Sequence, residues 1–155
     1  MYVFHLLISV YALGLIQLTI HELGHVFTAR SFKWNVVGLR LGIGPKVWYG
    51  WFLGTIRFEL NLIPLSGDTV YIESYGFDAG SNEGRKKLIK FYLSGLIPEI
   101  IFMVGSFLLF LKLGIGVLCI ASGFVALVTI VSLLFSLKEA CSDLRRLASL
   151  LSSNK

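Results

Sequence analysis

The stretch Thr19-Ile20-His21-Glu22-Leu23-Gly24-His25-Val26-Phe27 decides how this chain is read. It lies inside an apolar run from Tyr2 to about Ser31, interrupted only by His5, Gln17 and the motif itself, and ended by Arg30 and Lys33. Such a run is long enough to cross a bilayer with some tilt. In a helix, residues four apart project from one face, so His21 and His25 can offer ring nitrogens to a single ion with Glu22 beside them. Histidines and a glutamate are costly to bury in an apolar span, and residues of this kind inside a membrane helix are functional by default.

The rest of the composition agrees with a membrane setting. Of 155 residues, 55% are hydrophobic and only 15% charged, and the mean hydropathy is +0.78, well above that of a soluble domain. The net charge of +5 comes without a basic stripe or an RNA-binding aromatic motif, so nucleic acid is not an expected partner. Cys119 and Cys141 form no Cys-x-x-Cys pair, which argues against a thiolate metal site. The N-terminal segment lacks a basic leader and an Ala-x-Ala site, so it is expected to be retained as a helix.

Two further apolar runs, about 88–111 and 113–137, are separated only by Lys112 and the Gly114/Gly116 neighbourhood and predict a tight helical hairpin. Between the first and second spans the period changes. Ile56-Arg57-Phe58-Glu59-Leu60-Asn61-Leu62 alternates apolar and polar as a half-buried strand does. Glycines at 44, 50 and 54 punctuate the region, so a small membrane-associated β-hairpin or sheet is expected over about 36–72. A solvated, mobile loop is expected over about 73–86. The fold class is therefore a mainly α integral membrane protein, a single domain over 1–155 with three transmembrane helices and a β-rich loop after the first.

Lys and Arg set the orientation. Arg30, Lys33, Arg40, Lys46, Arg57 and the Arg85-Lys86-Lys87 cluster belong to the loop after the first span, Lys138, Arg145 and Arg146 follow the third, and Lys112 falls on the other face. The N-terminus is then outside and the C-terminus cytoplasmic. With the boundary near Arg30, the helical rise places His25 roughly 7 Å and His21 roughly 14 Å below the cytoplasmic surface. Trp34, Trp48, Tyr49 and Trp51 suit the headgroup belt, and the basic cluster suits a lipid anchor.

A zinc ion held by His21 and His25 needs a third ligand. His5, the one other histidine, lies about four turns away on the same helix and cannot close the site. A carboxylate is expected instead, with Asp143 and Asp68 the candidates on the cytoplasmic side. Glu99 is the remaining acid within a span. It is either a partner of the site or an interfacial side chain that snorkels to the surface.

His21-Glu-Leu-Gly-His25 in a first span, followed by Gly42-Ile-Gly-Pro-Lys46 and Asn61-Leu-Ile-Pro-Leu-Ser-Gly67 in a β-rich loop, resembles the site-2 protease family of intramembrane zinc metallopeptidases. Ser94-Gly95-Leu-Ile-Pro98-Glu99 is a degenerate match to the Gly-Pro-x-x-Asn pattern near which that family's second core span opens. Ser132-Leu-Leu-Phe135 and Ser142-Asp143-Leu144-Arg145 occupy the places of its Asn-x-x-Pro and metal-binding Asp-Gly. The resemblance implies one zinc ion on His21, His25 and Asp143, with Glu22 as the catalytic base. It departs from the family at Ser132, Phe135 and Leu144, which stand where the family has Asn, Pro and Gly, and that Pro and Gly are the residues expected to unwind the helix and lower the aspartate to the metal.

The expected activity is hydrolysis of a transmembrane or membrane-adjacent peptide in a prokaryotic cell membrane, with an edge such as Ile56–Leu62 adding the substrate as a strand. The alternative is an inactive member serving as a membrane scaffold or zinc-binding module. A metal transporter would need polar residues lining more than one span, and beyond Gln17, Glu99 and some Ser and Thr the spans lack them. Substrate, regulatory partners and oligomeric state are not written in the sequence.

Overall fold

The computed structural model describes residues 2–52, 54–72, 78 and 81–136. The chain runs α1 (Tyr2–Ser31), β1 (Asn35–Phe52), β2 (Ile56–Ile72), α2 (Asn82–Leu113) and α3 (Gly116–Ser136). It is mostly helical, with one two-stranded antiparallel sheet inserted between the first two helices. Helices α1 and α2 are each long and apolar enough to cross a membrane.

Helix α1 is apolar on nearly every face and ends at Arg30, whose charge suits the negative end of the helix dipole. Two backbone bonds close it: Lys33 N–H reaches the Arg30 carbonyl at 2.9 Å and Trp34 N–H reaches that of Ala29 at 2.9 Å. This is a Schellman closure, and Lys33 takes the left-handed position at φ 63°. It turns Trp34 inward, where the ring is 2% exposed and meets Phe32 and Phe91. Trp34 is thus a core residue and not part of a headgroup belt. Trp48, Tyr49 and Trp51 are at least half exposed.

Helix α2 begins six residues earlier than the hydropathy indicates, because Ser81 caps it by accepting from Gly84 N–H at 3.0 Å and Glu83 pairs with Lys87 one turn on. The segment 81–86 is therefore the capped start of a helix, while 73–77 and 79–80 lie outside the described residues. At its other end Gly114, at φ 66°, closes α2 through bonds to the Leu111 and Phe110 carbonyls and turns the chain directly into α3. The expected helical hairpin is present. The end of the third run at Leu137 lies outside the described residues.

The two strands are longer than the sequence pattern suggests, and each is used twice. Residues 35–41 pair antiparallel with 67–72, and 46–52 pair antiparallel with 56–61. In between, Gly38–Leu41 stands beside Arg57–Leu60, with both numberings rising together, so this inner pairing runs parallel. The limbs lie in the order 67–72, 35–41, 56–61, 46–52. Bends at Gly42 (φ 83°) and Gly44 (φ 88°) carry β1 from one limb to the next, a conformation that glycine adopts without steric cost. Asn61 breaks the alternation. It is buried and gives its side-chain N–H to the Gly42 carbonyl at 2.9 Å, satisfying the bend from within. The expectation that Ile56–Leu62 offers a pairing edge is corrected by this register, since Arg57–Leu60 has neighbours on both sides. Among the described residues the edge limbs are 46–52 and 67–72.

One sheet face carries Leu39, Leu41, Ile56, Phe58 and Leu60 against Val26, Ala29, Phe91 and Tyr92 of the helices. The opposite face carries ion pairs of Arg40 with Asp68 and of Glu59 with Lys46 and Arg57. Period-two alternation thus docks the sheet on the α1–α2 pair. A smaller cluster of Leu13, Ala121 and Val125 joins α1 to α3.

Candidate metal and catalytic site

Gln17, His21 and His25 follow one another at intervals of four and share the face of α1 that meets α2. The helices come close here for two reasons. Gly24 has no side chain, and a Cβ there would collide with the Ser94 carbonyl. Pro98, one turn beyond Ser94, has no N–H to give that carbonyl, so Gly24 packs against a point where α2 lacks its usual ladder bond.

The two imidazoles converge. Their Nε2 atoms stand 3.1 Å apart. Nitrogens sharing one tetrahedral zinc at ordinary bond lengths would stand about 3.3 Å apart. His21 Nδ1 faces Glu99 Oε2 at 2.6 Å, and His25 Nδ1 faces the Phe91 carbonyl at 2.9 Å. Both partners are acceptors, so the neutral rings carry their protons on Nδ1 and turn the Nε2 lone pairs toward each other. Two lone pairs at that distance repel unless a proton or cation lies between them. Gly95 completes the cradle: a Cβ there would lie 2.5 Å from His25 Nε2 and 3.0 Å from His21 Cε1. These observations fit a zinc ion.

Glu22 projects toward the sheet. Thr69 Oγ1 donates to its Oε2 at 2.7 Å, and Gly67 lies so close that a Cβ would overlap the carboxylate. The limb 67–72 therefore passes directly over the motif glutamate, which is 4% exposed.

Of the residues singled out from sequence, His21 and His25 come together, and Glu22, next to His21 in the chain, meets Thr69 and Gly67 of the sheet. Asp68 does not join them. Its carboxylate meets Arg40 Nη2 at 3.2 Å on the outer face of the sheet, with both side chains about half exposed. Among the described residues no group of three or more His, Cys, Asp or Glu side chains is placed to hold a metal ion together. Asp143, with Ser142, Leu144 and Arg145, lies outside the described residues. Glu99, which had two readings, is a partner of the site: it is 8% exposed and bonded to His21. Thr69 from the sheet, Phe91 from α2 and Thr129 from α3 had no place in the sequence reading, and Gly67 and Gly95 stood there only as members of family-like motifs. Gln17 was visible as the next member of the His21/His25 stripe. For Thr69 and Thr129 no local signal exists, because each reaches the site only through tertiary packing.

Known proteins resemble this chain in sequence. Three bacterial relatives each carry the name "Putative zinc metalloprotease". The one from Helicobacter pylori is 40% identical over 67 residues, which is 43% of this chain and 18% of the relative. That from Fusobacterium nucleatum is 37% identical over 75 residues, or 48% and 21%. That from Thermotoga maritima is 34% identical over 68 residues, or 44% and 13%. The matched stretches thus cover about a fifth or less of those proteins. The profile of Peptidase family M50, the site-2 protease family, matches residues 9–152, nearly the whole of the described bundle and sheet, and the chain belongs to that family.

Proposed function

We propose that this chain is the core of an intramembrane zinc metalloendopeptidase that hydrolyses transmembrane or membrane-adjacent peptides. The observation that carries the reading is the 3.1 Å approach of His21 and His25 Nε2, with each Nδ1 held by an acceptor. His21 and His25 would hold one zinc ion, with Asp143 as third ligand. When bound, zinc polarises a carbonyl and brings the pKa of its water toward about 7.

The protein's own groups supply the rest. Glu22 accepts the proton of the attacking water at its carboxylate and returns it to the leaving amine. Thr69 fixes the carboxylate's orientation through Oε2. Glu99 and the Phe91 carbonyl fix the histidine rings. The edge limb 67–72 can take an extended peptide by main-chain hydrogen bonds, and it runs beside Glu22. This limb replaces Ile56–Leu62 as the proposed substrate edge. A helical substrate must unwind to pair in this way, which exposes its scissile carbonyl.

The membrane setting is supported by helices whose apolar windows are only 11% buried. Core helices of a soluble protein would be mostly covered, whereas Phe4, Leu7, Ile101, Leu108 and Leu127 are each more than half exposed. Helix α3 would form the third span, with the N-terminus outside and the C-terminus cytoplasmic in a bacterial cell membrane. Water would reach the histidines from the cytoplasmic side.

The test is to purify the full chain in detergent, measure zinc per chain, and follow cleavage of a membrane peptide by wild type and Glu22→Gln. Stoichiometric zinc in both, with cleavage only in the wild type, supports the reading. Cleavage at the normal rate by Glu22→Gln sinks it. Zinc without turnover in either would point to a zinc-binding module.

A further inference from the structure

Gln17, Glu99 and Thr129 are polar residues set in otherwise apolar stretches of α1, α2 and α3. The fold joins them into one chain of hydrogen bonds ending on His21. Thr129 Oγ1 donates to the Val125 carbonyl at 3.0 Å. Its single proton is thereby spent, so the same oxygen accepts from Gln17 Nε2 at 2.6 Å. The other Gln17 N–H goes to Glu99 Oε1 at 2.6 Å. The remaining Glu99 oxygen faces His21 Nδ1 at 2.6 Å. With Glu99 accepting at both oxygens, His21 donates from Nδ1 and its Nε2 is left as the lone pair turned toward His25.

The donor order is thus fixed from the backbone of α3 to the tautomer of His21. Nothing else among the described residues sets the Gln17 amide, whose Oε1 is buried without a hydrogen-bond partner. Its orientation is determined wholly by Glu99 and Thr129. We propose that Glu99 is a positioning residue that selects the tautomer and orientation of His21, and that Gln17 and Thr129 make this setting depend on how α3 is seated. The proposal rests on the reading of His21 as a zinc ligand. A carboxylate on the far nitrogen of a metal-binding histidine raises the basicity of the ligating nitrogen and holds its ring in line.

Zinc affinity is the readout, measured on the full chain in detergent by competition with a chelating dye, alongside the visible absorption of the Co2+-loaded protein. Glu99→Gln keeps the shape and an acceptor but removes the charge, and Glu99→Leu removes both. Affinity should fall roughly 10-fold in the first and roughly 100-fold in the second, with the cobalt bands displaced and helical content retained. Thr129→Val should weaken zinc binding less than either, and should add nothing once Gln17→Leu has cut the chain.

Glu99→Gln with wild-type affinity and an unchanged cobalt spectrum would overturn the role of Glu99, and this isosteric variant decides even if Glu99→Leu fails to fold. Additive effects of Thr129→Val and Gln17→Leu would overturn the link to α3. Failure of the wild type to bind zinc would instead overturn the ligand assignment beneath both.

Discussion

Thr69 Oγ1 lies 2.7 Å from Glu22 Oε2 and donates to it, so a residue of the sheet's edge limb holds the carboxylate of a helix motif 47 positions away in sequence. A single hydroxyl links the proposed peptide-binding edge to the proposed base. The hydrogen bond is charge-assisted and buried from bulk water on the helix side, the setting in which such bonds are strongest.

Thr69→Val keeps the shape and deletes the donor. Hydrogen bonds to charged groups contribute about 1.5–3 kcal/mol, so kcat for peptide cleavage should fall roughly 10- to 100-fold. Zinc content should not change, because the one proton of the Thr69 hydroxyl goes to Glu22. Cleavage rate and metal content measured on the same preparation check this, and zinc loss would show that Thr69 holds the site together more broadly.

Gly95→Ala places a methyl 2.5 Å from His25 Nε2 and 3.0 Å from His21 Cε1. The rings must separate to admit it. Zinc binding should be largely lost while the helices remain, as read by metal analysis and circular dichroism. Gly105→Ala is the control, since a Cβ there meets nothing within 4 Å, and it should bind zinc as the wild type does.

Gly24→Ala acts on packing. Its Cβ would collide with the Ser94 carbonyl, a backbone atom that cannot swing aside. Overpacking of this kind costs about 1–3 kcal/mol, so thermal unfolding in detergent should move to lower temperature. Gly14→Ala should be nearly neutral, since its closest neighbour is Pro64 Cγ at 3.7 Å.

Glu59 gives the sheet a pH dependence. The hydrogen bond from Lys46, aided by the charges of Lys46 and Arg57, holds its carboxyl below the ordinary value of 4.5. A depressed carboxylate contributes stability that is fully present above its unfolded-state value and is lost as pH falls through the lower folded-state value. The sheet should therefore loosen only below pH 4.5, and less steeply in Lys46→Met. Amide exchange of 46–61 against pH follows this directly, and high salt should blunt it because the pairs are exposed.

Much of the fold was legible because one-dimensional periodicity reports burial. An unbroken apolar run gives a long apolar helix whatever surrounds it, and the alternation at Ile56–Leu60 gives a strand with Arg57 and Glu59 outward. The register was not legible. Bends at Gly42 and Gly44 let each strand pair twice, and the partner of a strand depends on chain geometry that alternation does not encode. The start of α2 was misplaced for a related reason: hydropathy sees the lipid-soluble part of a helix but not the polar turns that Ser81 caps beyond it.

By itself the sequence determined the His21/Glu22/His25 constellation, since a spacing of four on a helix fixes a shared face before any folding partner is known. Only the tertiary structure decided what surrounds that face. It set Asp68 apart with Arg40, brought Glu99 onto His21, and laid Gly67 and Thr69 over Glu22. Those outcomes depend on how closely α1 and α2 approach at Gly24 and on which limb of the sheet ends beside α1. Both follow from the fit of surfaces drawn from distant parts of the chain, which no local pattern records.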